Sequence, residues 1–446
     1  MSYTLVLEWM PGDLYMSAVT ARCTAPTSSY SVVWLPPNKV YQITLYCGST
    51  SLVSFLVGAF RGKAWSYMRK KLAILLAAVM IIGTFAACNN TPASSNGGGE
   101  NATTSENNQQ NNTGEMKVDV FYYDYSDVYI SSVRSEMDTM LDEMRVEKNN
   151  WDAGGSQPAQ SDQVNTAITN GSDLLIVNIV ETSSPDAAQS ICDAAKNANI
   201  PVIFFNREVD DSVVNSYDKC AFVGTNAPDA GHMQGEMIGE YLLENYDKLD
   251  LNGDGVISYV MFKGQEGNAE AEARTEFAVK DANAMLTKEG KPELVYYDDK
   301  ASTKYLVDQN GKWSAGAAND YMNTILSAYS EANKNMVELV IANNDEMAKG
   351  AISALQGAGY NNGEGTTTIP VFGVDATADA RTLIKEGKMT ASVMQDAEGM
   401  AKTITTLAGN IKDGKSLMEG IKEQFTVDSD VSKVRVPYQK YDASSN

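Results

Sequence analysis

The chain has 446 residues, of which 43% are hydrophobic and 21% charged, a length that allows one large two-lobed core or two to three ordinary domains. Residues 1–87 contain seven Lys or Arg and two Asp or Glu, which leaves 28 basic and 55 acidic residues, a net charge of about −27, in the remainder. Such an acidic surface repels phosphate backbones and the sequence contains no basic stripe, so we expect no nucleic-acid partner.

Residues 68–87, followed by Cys88, have the layout of a secretory signal. A basic start at Met68 precedes an apolar core of roughly fifteen residues and then the sequence F-A-A-C. The core is shorter than the ~20 residues that a helix needs to span a bilayer, so we favour a cleaved signal over a transmembrane helix. The F-A-A-C sequence resembles a lipobox and predicts that Cys88 carries a lipid.

The segments on either side of this signal are predicted to lie outside the folded part. A signal belongs at the start of a chain and residues 1–67 have no sustained period, so we interpret them as a doubtful upstream extension. The alternative is a genuine extension in which residues 43–60 insert into a membrane. Residues 88–115 are rich in Asn, Ser and Gly and contain almost nothing apolar, which predicts a disordered tether.

From residue 116 onward, strand-like runs of β-branched and aromatic residues alternate with helix-like segments. The predicted strands cover residues 118–123, 174–179, 202–205, 259–262, 294–297, 339–341, 371–374 and 392–394. Apolar residues at helical spacing predict helices near 133–144 and within 183–198, 228–243, 269–287, 316–332, 345–356 and 397–411. This alternation is typical of parallel sheets covered by helices, and roughly 320 residues exceed one such sheet, so we expect an α/β fold with two lobes.

Polar side chains follow several of the predicted strands. Asp127 and Tyr129 come after the first strand, Asn178 ends the second, and Asn344 and Asp375 follow two later ones. Ligands of open α/β sheets bind beyond the carboxyl ends of the strands. Amides and carboxylates gathered there can form paired hydrogen bonds with neighbouring hydroxyls, and a sugar supplies such hydroxyls.

Residues 250–259, D-L-N-G-D-G-V-I-S-Y, have the spacing of a calcium-binding loop. Oxygen-bearing side chains stand at loop positions one, three, five and nine, and a glycine stands at position six. Position twelve, where a glutamate should close the coordination sphere, is Met261. The loop therefore either binds no ion or takes its missing carboxylate from a distant part of the chain.

Together these stretches resemble the periplasmic galactose/glucose-binding proteins of ABC sugar importers. The matching segments are V-F-Y-Y-D-Y-S-D-V-Y, I-P-V-I-F-F-N-R-E, S-Y-D-K-C-A-F-V-G-T, D-L-N-G-D-G, A-E-A-R-T, V-I-A-N-N-D-E-M-A, I-P-V-F-G-V-D-A and V-R-V-P-Y. The resemblance implies a type I periplasmic binding protein fold, with two Rossmann-like lobes whose parallel sheets are joined by a hinge of crossing strands. It places lobe 1 at residues 116–200 plus 396–424 and lobe 2 at residues 201–395 plus 425–442.

The resemblance also implies a sugar site built from both lobes. The residues that match family positions hydrogen-bonding a pyranose are Asp127, Asn178, Arg274, Asn344 and Asp375. Tyr129 and Trp313 match the two aromatic residues that sandwich the ring, whose C–H faces pack on aromatic side chains.

Four positions depart from the family pattern. Asn268 stands where a histidine is usual, Glu270 where an aspartate is, Gln395 where an asparagine is, and Tyr129 replaces a phenylalanine. A stretch around residues 304–312 also looks like an insertion before Trp313. We expect the sugar class to survive these changes but leave the exact hexose open.

The same resemblance supplies the missing ligand of the calcium loop. It implies a structural Ca²⁺ held by the side chains of Asp250, Asn252, Asp254 and Ser258, the backbone carbonyl of Val256, and the distant Glu338. Ser258 is shorter than the glutamine that is usual there, so it coordinates directly, through water, or not at all.

These expectations add up to a monomeric extracytoplasmic lipoprotein that captures glucose or galactose and delivers it to an ABC permease. An alternative with the same site is a receptor that presents the sugar to a chemoreceptor or sensor kinase. A glycosidase that uses Asp127, Glu270 and Asp375 is disfavoured, because Arg274 and the many amides indicate carboxylates that act as ionised hydrogen-bond acceptors.

Three remaining residues carry no predicted function. His232 is the only histidine, and no catalytic or zinc-binding partner lies near it in sequence, so we expect a surface or packing role. Cys192 and Cys220 could pair in an oxidising compartment, but sequence does not establish the geometry, and we favour two unpaired thiols.

Overall fold

The computed structural model describes residues 115–445 and, before them, the backbone of six short strands. These strands form three antiparallel pairs, which join Ser2–Leu5 to Ala18–Arg22, Glu8–Met10 to Asp13–Tyr15, and Ser29–Trp34 to Tyr41–Tyr46. Each of these strands has three to six residues, so they are compatible with a segment that has no sustained period. The signal at 68–87, Cys88, all of the tether but its last residue and most of segment 43–60 lie outside the described residues.

The strands and helices that follow make up a second compact unit, Gln109–Asn446. In chain order its strands are β1 (Lys117–Tyr122), β2 (Glu147–Asp152), β3 (Leu174–Val177), β4 (Val202–Phe205), β5 (Cys220–Gly224), β6 (Ser258–Lys263), β7 (Val295–Tyr296), β8 (Leu306–Val307), β9 (Leu339–Ala342), β10 (Val371–Asp375), β11 (Ala391–Met394), β12 (Thr426–Val427), β13 (Lys433–Arg435) and β14 (Gln439–Asp442).

The helices of this unit alternate with the strands. They are α1 (Val128–Glu143), α2 (Gln157–Thr169), α3 (Asp186–Ala198), α4 (Asp211–Asn215), α5 (Ala227–Leu249), α6 (Ala269–Lys288), α7 (Ala315–Leu326), α8 (Asp345–Gly357), α9 (Ala378–Lys385) and α10 (Ala397–Lys412). A search of the described residues finds no helix with both the length and the apolar character needed to cross a bilayer.

Two mixed but mostly parallel sheets organise the unit. The first has the order β12–β13–β5–β4–β3–β1–β2, and the second has the order β7–β6–β9–β10–β11–β14, with β8 also paired to β6. Within them only the pairs β12–β13 and β11–β14 are antiparallel. The predicted α/β fold with two parallel-sheet lobes is therefore confirmed.

The boundary between the lobes differs from the one expected from sequence. Strands β4 and β5 extend the parallel ladder of β3, since Ile203 pairs with Ile176 on one side and with Ala221 on the other. Strand β13 in turn pairs with β5. The assignment of residues 201–224 and 425–435 to lobe 2 is thus corrected: lobe 1 comprises residues 115–224 and 397–436, and lobe 2 comprises residues 227–394 and 438–445.

Both sheets are buried on two faces, which explains their near-continuous apolar sequences. In β1, Val118, Val120 and Tyr122 face one cluster of buried residues while Phe121 faces the other. Helix α10 returns to lobe 1, where Ile404 packs in the same cluster as Val133 of α1.

Three segments cross between the lobes, after β5, after β11 and after β13, and they are hydrogen-bonded to one another. The Thr225 hydroxyl donates to the Tyr438 hydroxyl oxygen at 2.7 Å. The Tyr438 hydroxyl in turn donates to Gln395 Oε1 at 3.3 Å. We call this arrangement of Thr225, Gln395 and Tyr438 the hinge.

Candidate functional site

A cavity between the lobes collects nine of the ten residues predicted for the sugar site. The space between these residues measures about 370 Å³ when the solvent at its open side is counted. The lining residues that the sequence predicted are Asp127, Tyr129, Asn268, Glu270, Arg274, Trp313, Asn344, Asp375 and Gln395, and two more, Asn206 and Arg207, complete the wall.

Asn178 is the predicted site residue that does not line the cavity. It is 0% exposed. Its Nδ2 donates to Phe205 O at 3.1 Å and to Asn206 Oδ1 at 3.3 Å, and its Oδ1 accepts from Tyr123 N at 3.4 Å. Asn178 therefore stands one layer behind the wall and holds Asn206, which occupies the lining position instead.

Three lining residues are also the N-caps of helices. The Oδ1 atoms of Asp127, Asn268 and Asn344 accept from backbone N–H groups in the first turns of α1, α6 and α8, at 2.8, 2.9 and 3.0 Å. Short polar side chains are preferred at this position because they satisfy the free N–H groups of a helix start. The residues that begin the helices are thus the same ones that the fold places around the ligand space.

Trp313 is held in an unusual position on the lobe 2 wall. Its backbone has a left-handed φ of 56°, and its indole is 7% exposed. The predicted insertion before it forms β8 and a turn in which Asp308 Oδ2 accepts from Ser314 N and Oγ, at 3.0 and 2.7 Å. A Cβ on Gly264 would lie only 2.1 Å from the indole, so the absence of that side chain makes room for the ring.

Tyr129 contributes the aromatic surface of lobe 1. It lines the cavity and also packs in the core of its lobe, where its hydroxyl lies 3.7 Å from Met400 Sδ. The two predicted aromatic residues therefore reach the same cavity from opposite lobes.

Arg274 connects the cavity to the hinge. Its guanidinium donates to Asn343 O at 2.9 Å, to Gln395 Oε1 at 3.0 Å and to the Tyr438 hydroxyl at 3.0 Å. Its charge lies 5.6 Å from the centre of the Trp313 ring. A buried cation with several hydrogen bonds is expensive to displace, which fixes this part of the wall.

Three carboxylates line the cavity, and burial raises the pKa of each one, a shift that the expectation of ionised acceptors did not include. For Asp127, hydrogen bonds from Tyr123 and from the start of α1 oppose the effect of burial on its pKa. For Glu270 and Asp375, the positive charge of Arg274 does so. Asp375 also adopts a φ of 115°, and a side chain held there against backbone strain indicates a functional constraint.

Several buried polar atoms of the wall have no hydrogen-bond partner among the described residues. They are the acceptor Glu270 Oε2 and the donors Arg274 Nε, Trp313 Nε1, Gln395 Nε2 and Arg207 Nε. An unsatisfied buried polar group costs about 1–3 kcal/mol, so a cluster of them is costly unless a polar ligand supplies the partners.

Direct contacts hold the two lobes together across the cavity. Arg207 Nη2 of lobe 1 donates to Gln265 Oε1 of lobe 2 at 2.6 Å, and the Glu208 N–H donates to Glu270 Oε1 at 3.2 Å. At the rim, Lys312 Nζ lies 3.0 Å from Asp124 Oδ2. The structure is thus in a closed form, with the lining residues drawn around the enclosed space.

The predicted calcium loop does bring Glu338 to its distant partners. Glu338 Oε1 accepts from Asn252 N at 2.9 Å, and its Oε2 accepts from Ser258 N at 2.8 Å. Burial raises the pKa of Glu338. The long-range convergence that the resemblance implied is therefore present.

The donor set of this loop fits Ca²⁺ only in part. Its chemistry suits the ion because oxygens predominate. The Asn252 side chain, however, bonds Met336 through both of its polar atoms, at 2.7 and 2.9 Å, and Asp250 accepts from Gly253 and Gly255. Within residues 115–445 no three His, Cys, Asp or Glu side chains are grouped closely enough to hold a metal.

Asn206 and Arg207 are lining residues that were not predicted from the sequence. Both directly follow strand β4, so the rule applied to the other strand ends would have found them. His232 lies outside the cavity, where it stacks on Phe277 and pairs with Asp281 at 2.6 Å. Cys192 and Cys220 are buried and unpaired.

Comparison with known proteins places this architecture among solute-binding proteins. A family model described as a periplasmic binding protein domain matches residues 118–416. The chain is 33% identical over 325 residues to the D-galactose/methyl-galactoside binding periplasmic protein of Haemophilus influenzae, which covers 72% of this chain and 88% of that protein.

Two solved structures extend the comparison. A solute-binding protein of an ABC transporter from Bacillus halodurans, with bound myo-inositol, is 25% identical with a TM-score of 0.56, covering 75% of this chain and 96% of that one. Another from Clostridium phytofermentans, with bound β-D-glucose, has 20% identity and a TM-score of 0.57, covering 74% and 94%, a likeness of fold.

Proposed function

The chain belongs to the periplasmic binding protein domain family, and from that premise we propose that it captures one hexose, glucose or galactose, in the cavity between its lobes. It is a sugar-binding component of an ABC importer that acts outside the cytoplasm, and it is a binding protein rather than an enzyme. In the proposed cycle the open form takes up the hexose, the lobes close about the hinge, and the permease recognises the closed form.

The unpartnered polar atoms of the cavity wall carry this proposal. They include a carboxylate acceptor on Glu270 and donors on Arg274, Trp313 and Gln395. A sugar hydroxyl both donates and accepts, so a ring of hydroxyls can satisfy groups of both kinds at once. An apolar ligand would leave all of them unsatisfied.

Support for a hexose comes from the aromatic residues and from the relative named above. Tyr129 and Trp313 offer apolar ring surface from opposite lobes, which suits the C–H faces of a pyranose. The Haemophilus influenzae relative binds galactose by its name, whereas the Bacillus halodurans structure holds myo-inositol, a cyclic polyol. The choice between hexose and cyclitol is therefore the first to test.

A thermal-shift screen distinguishes these ligands. Glucose, galactose, xylose, ribose and myo-inositol would each be added at a concentration far above the expected Kd. A ligand at about 100 times its Kd stabilises the folded state by about 2.7 kcal/mol, so we expect glucose or galactose to raise Tm by several degrees. A panel in which no hexose shifts Tm would refute the hexose assignment.

We also propose that a lipid on Cys88 anchors the monomeric protein to the membrane. The proposal rests on the sequence layout around residues 68–88. Expression of the Cys88→Ser variant should release the protein from the membrane fraction into the soluble extracytoplasmic fraction. Equal membrane retention of both proteins would argue against the anchor.

We further propose a structural Ca²⁺ in the loop at residues 250–258. Its support is the approach of Glu338 to Asn252 and Ser258 from a distant part of the chain. When bound, the ion would connect the loop to the start of β9. Its role would be structural. Removal of metal tests the proposal.

A further inference from the structure

Arg207 lines the cavity from lobe 1 and forms a hydrogen bond with a residue of lobe 2. It is 4% exposed. Its Nη2 donates to Val180 O at 3.0 Å within lobe 1 and to Gln265 Oε1 at 2.6 Å in lobe 2. Gln265 belongs to the loop between β6 and α6, so this bond exists only when the lobes are together.

The segment that carries Arg207 is firmly attached to lobe 1. Asn206 has a left-handed φ of 62° and is held by Asn178. The next residue, Glu208, binds Lys433 at 2.5 Å and Arg435 at 2.7 Å, both on strand β13. Arg207 therefore projects from a backbone segment that is held firmly in lobe 1.

The guanidinium also supports one wall of the cavity. It lies 4.2 Å from the centre of the Tyr123 ring. The Tyr123 hydroxyl donates to Asp127 Oδ2 at 2.6 Å. Through this stack Arg207 orients a carboxylate that lines the ligand space.

We propose that Arg207 is a positioning residue that fastens the closed form through Gln265 and so determines how long the bound sugar is retained. The inference rests on the proposed function, hexose capture in this cavity. Because the bond to Gln265 forms after the ligand has entered, it lowers the dissociation rate much more than it changes the association rate. The rim pair Lys312–Asp124 crosses the same gap, but Lys312 is half exposed, and such pairs contribute little.

The test measures dissociation and association rates of D-glucose and D-galactose from the full-length protein by stopped-flow fluorescence. We expect Arg207→Met and Gln265→Ala each to raise the dissociation rate about ten-fold, as loss of a charged hydrogen bond implies, with association changed less than about three-fold. The sugar should dissociate from the double variant no faster than from Arg207→Met alone, because both substitutions remove the same hydrogen bond.

Arg134→Met is the matched control. Arg134 is another arginine of lobe 1 stacked on a tyrosine, at 3.9 Å from the centre of the Tyr125 ring, and it is outside the cavity lining. Its loss should leave both rates unchanged. Arg207→Lys keeps the charge and one donor, so it should restore part of the slow dissociation.

Three outcomes would overturn the inference. An unchanged dissociation rate in Gln265→Ala would do so, and this variant alters a half-buried loop residue that the core does not need for folding. Additive effects in the double variant would mean that Arg207 acts on the sugar directly. Wild-type protein that binds neither sugar would refute the proposed function, and the retention role with it, before any variant is compared.

Discussion

The cavity and the predicted calcium loop are two regions in which residues distant in sequence converge, and they differ in what the converged groups do. In the cavity, Glu270, Arg274 and Gln395 keep buried polar atoms that bond nothing in the described protein. In the loop, Glu338 and Asn252 use their polar atoms on backbone groups of neighbouring segments.

Convergence of distant residues therefore does not by itself identify a ligand site. Buried atoms without partners destabilise the closed protein until a ligand pairs with them, whereas a self-satisfied cluster is stable by itself. The cavity therefore demands a polar ligand. Calcium would instead have to replace some hydrogen bonds that the loop already makes.

The largest effect is expected from Asp375→Asn, which removes a buried carboxyl group from the cavity. Burial raises the folded-state pKa of Asp375 above its unfolded value, so the protein loses stability as pH rises from the unfolded pKa to the folded pKa, and the loss is absent below the unfolded pKa. At pH 7 the variant should raise the Tm of the unliganded protein yet weaken sugar binding by about 10- to 100-fold, because a buried acceptor for the sugar hydroxyls is replaced by an amide. Thermal melts and titration calorimetry measure the two changes.

Asp379→Asn is the control for Asp375→Asn, because the pKa of Asp379 is shifted in the opposite direction. Lys349 lies 2.7 Å from Asp379 and lowers the pKa of that exposed carboxylate. This variant should lower Tm slightly or not at all and leave the sugar affinity unchanged. Unaltered affinity in Asp375→Asn would remove Asp375 from the site.

Trp313→Ala should give the next largest effect. Loss of the indole removes buried aromatic surface, and we expect sugar binding to weaken by at least about 1.5 kcal/mol in calorimetry. Trp151→Phe is the control, because Trp151 stacks on Phe121 and bonds Asp119 outside the cavity. Equal affinities of Trp313→Ala and wild type would contradict the stacking role.

Gly264→Ala tests the position of the indole rather than its presence. The added Cβ would meet the Trp313 ring at 2.1 Å, so the ring must move, and affinity should fall by several-fold, about 1 kcal/mol. Gly316→Ala places a methyl group in open space on α7 and should slightly stabilise the protein without affecting affinity. Similar affinities for the two variants would show that the ring position is not critical.

The smallest effect is expected at the calcium loop. Metal removal by a chelator should lower Tm by a few degrees, because an ion held only by the folded state stabilises it by mass action. In Glu338→Gln the chelator should have no further effect. If verified metal removal leaves the wild-type Tm unchanged, the loop binds no ion. The loop would then be stable through its own hydrogen bonds, unlike the cavity.

The sequence predicted the fold class and most of the wall because buried parallel strands and helix starts leave strong local patterns. It missed strand β2, whose polar sequence E-K-N-N-W-D forms a sheet edge, and helix α2, which is largely polar, and among others it also missed the buried strand β5 and the short helix α9. Their formation depends on neighbours that periodicity does not report.

The lobe boundary and the depth of individual side chains were also beyond sequence patterns. The sequences of strands β4 and β5 would suit either sheet. Only the pairing of β4 with β3 and with β5 shows that both strands belong to lobe 1. Asn178 and Asn206 both follow strands, yet only Asn206 lines the cavity. Asn178 lies behind it and holds it by a hydrogen bond. The cross-lobe bond of Arg207 likewise depends on the closed arrangement.

Titration calorimetry with D-glucose and D-galactose, followed by chromatography of the recovered sugar, tests whether the cavity captures a hexose without altering it. We predict saturable binding of one sugar per protein molecule, with the sugar recovered unchanged. If no monosaccharide binds, the cavity is not a sugar site. If the sugar is recovered as a different product, the protein is not a simple binding protein.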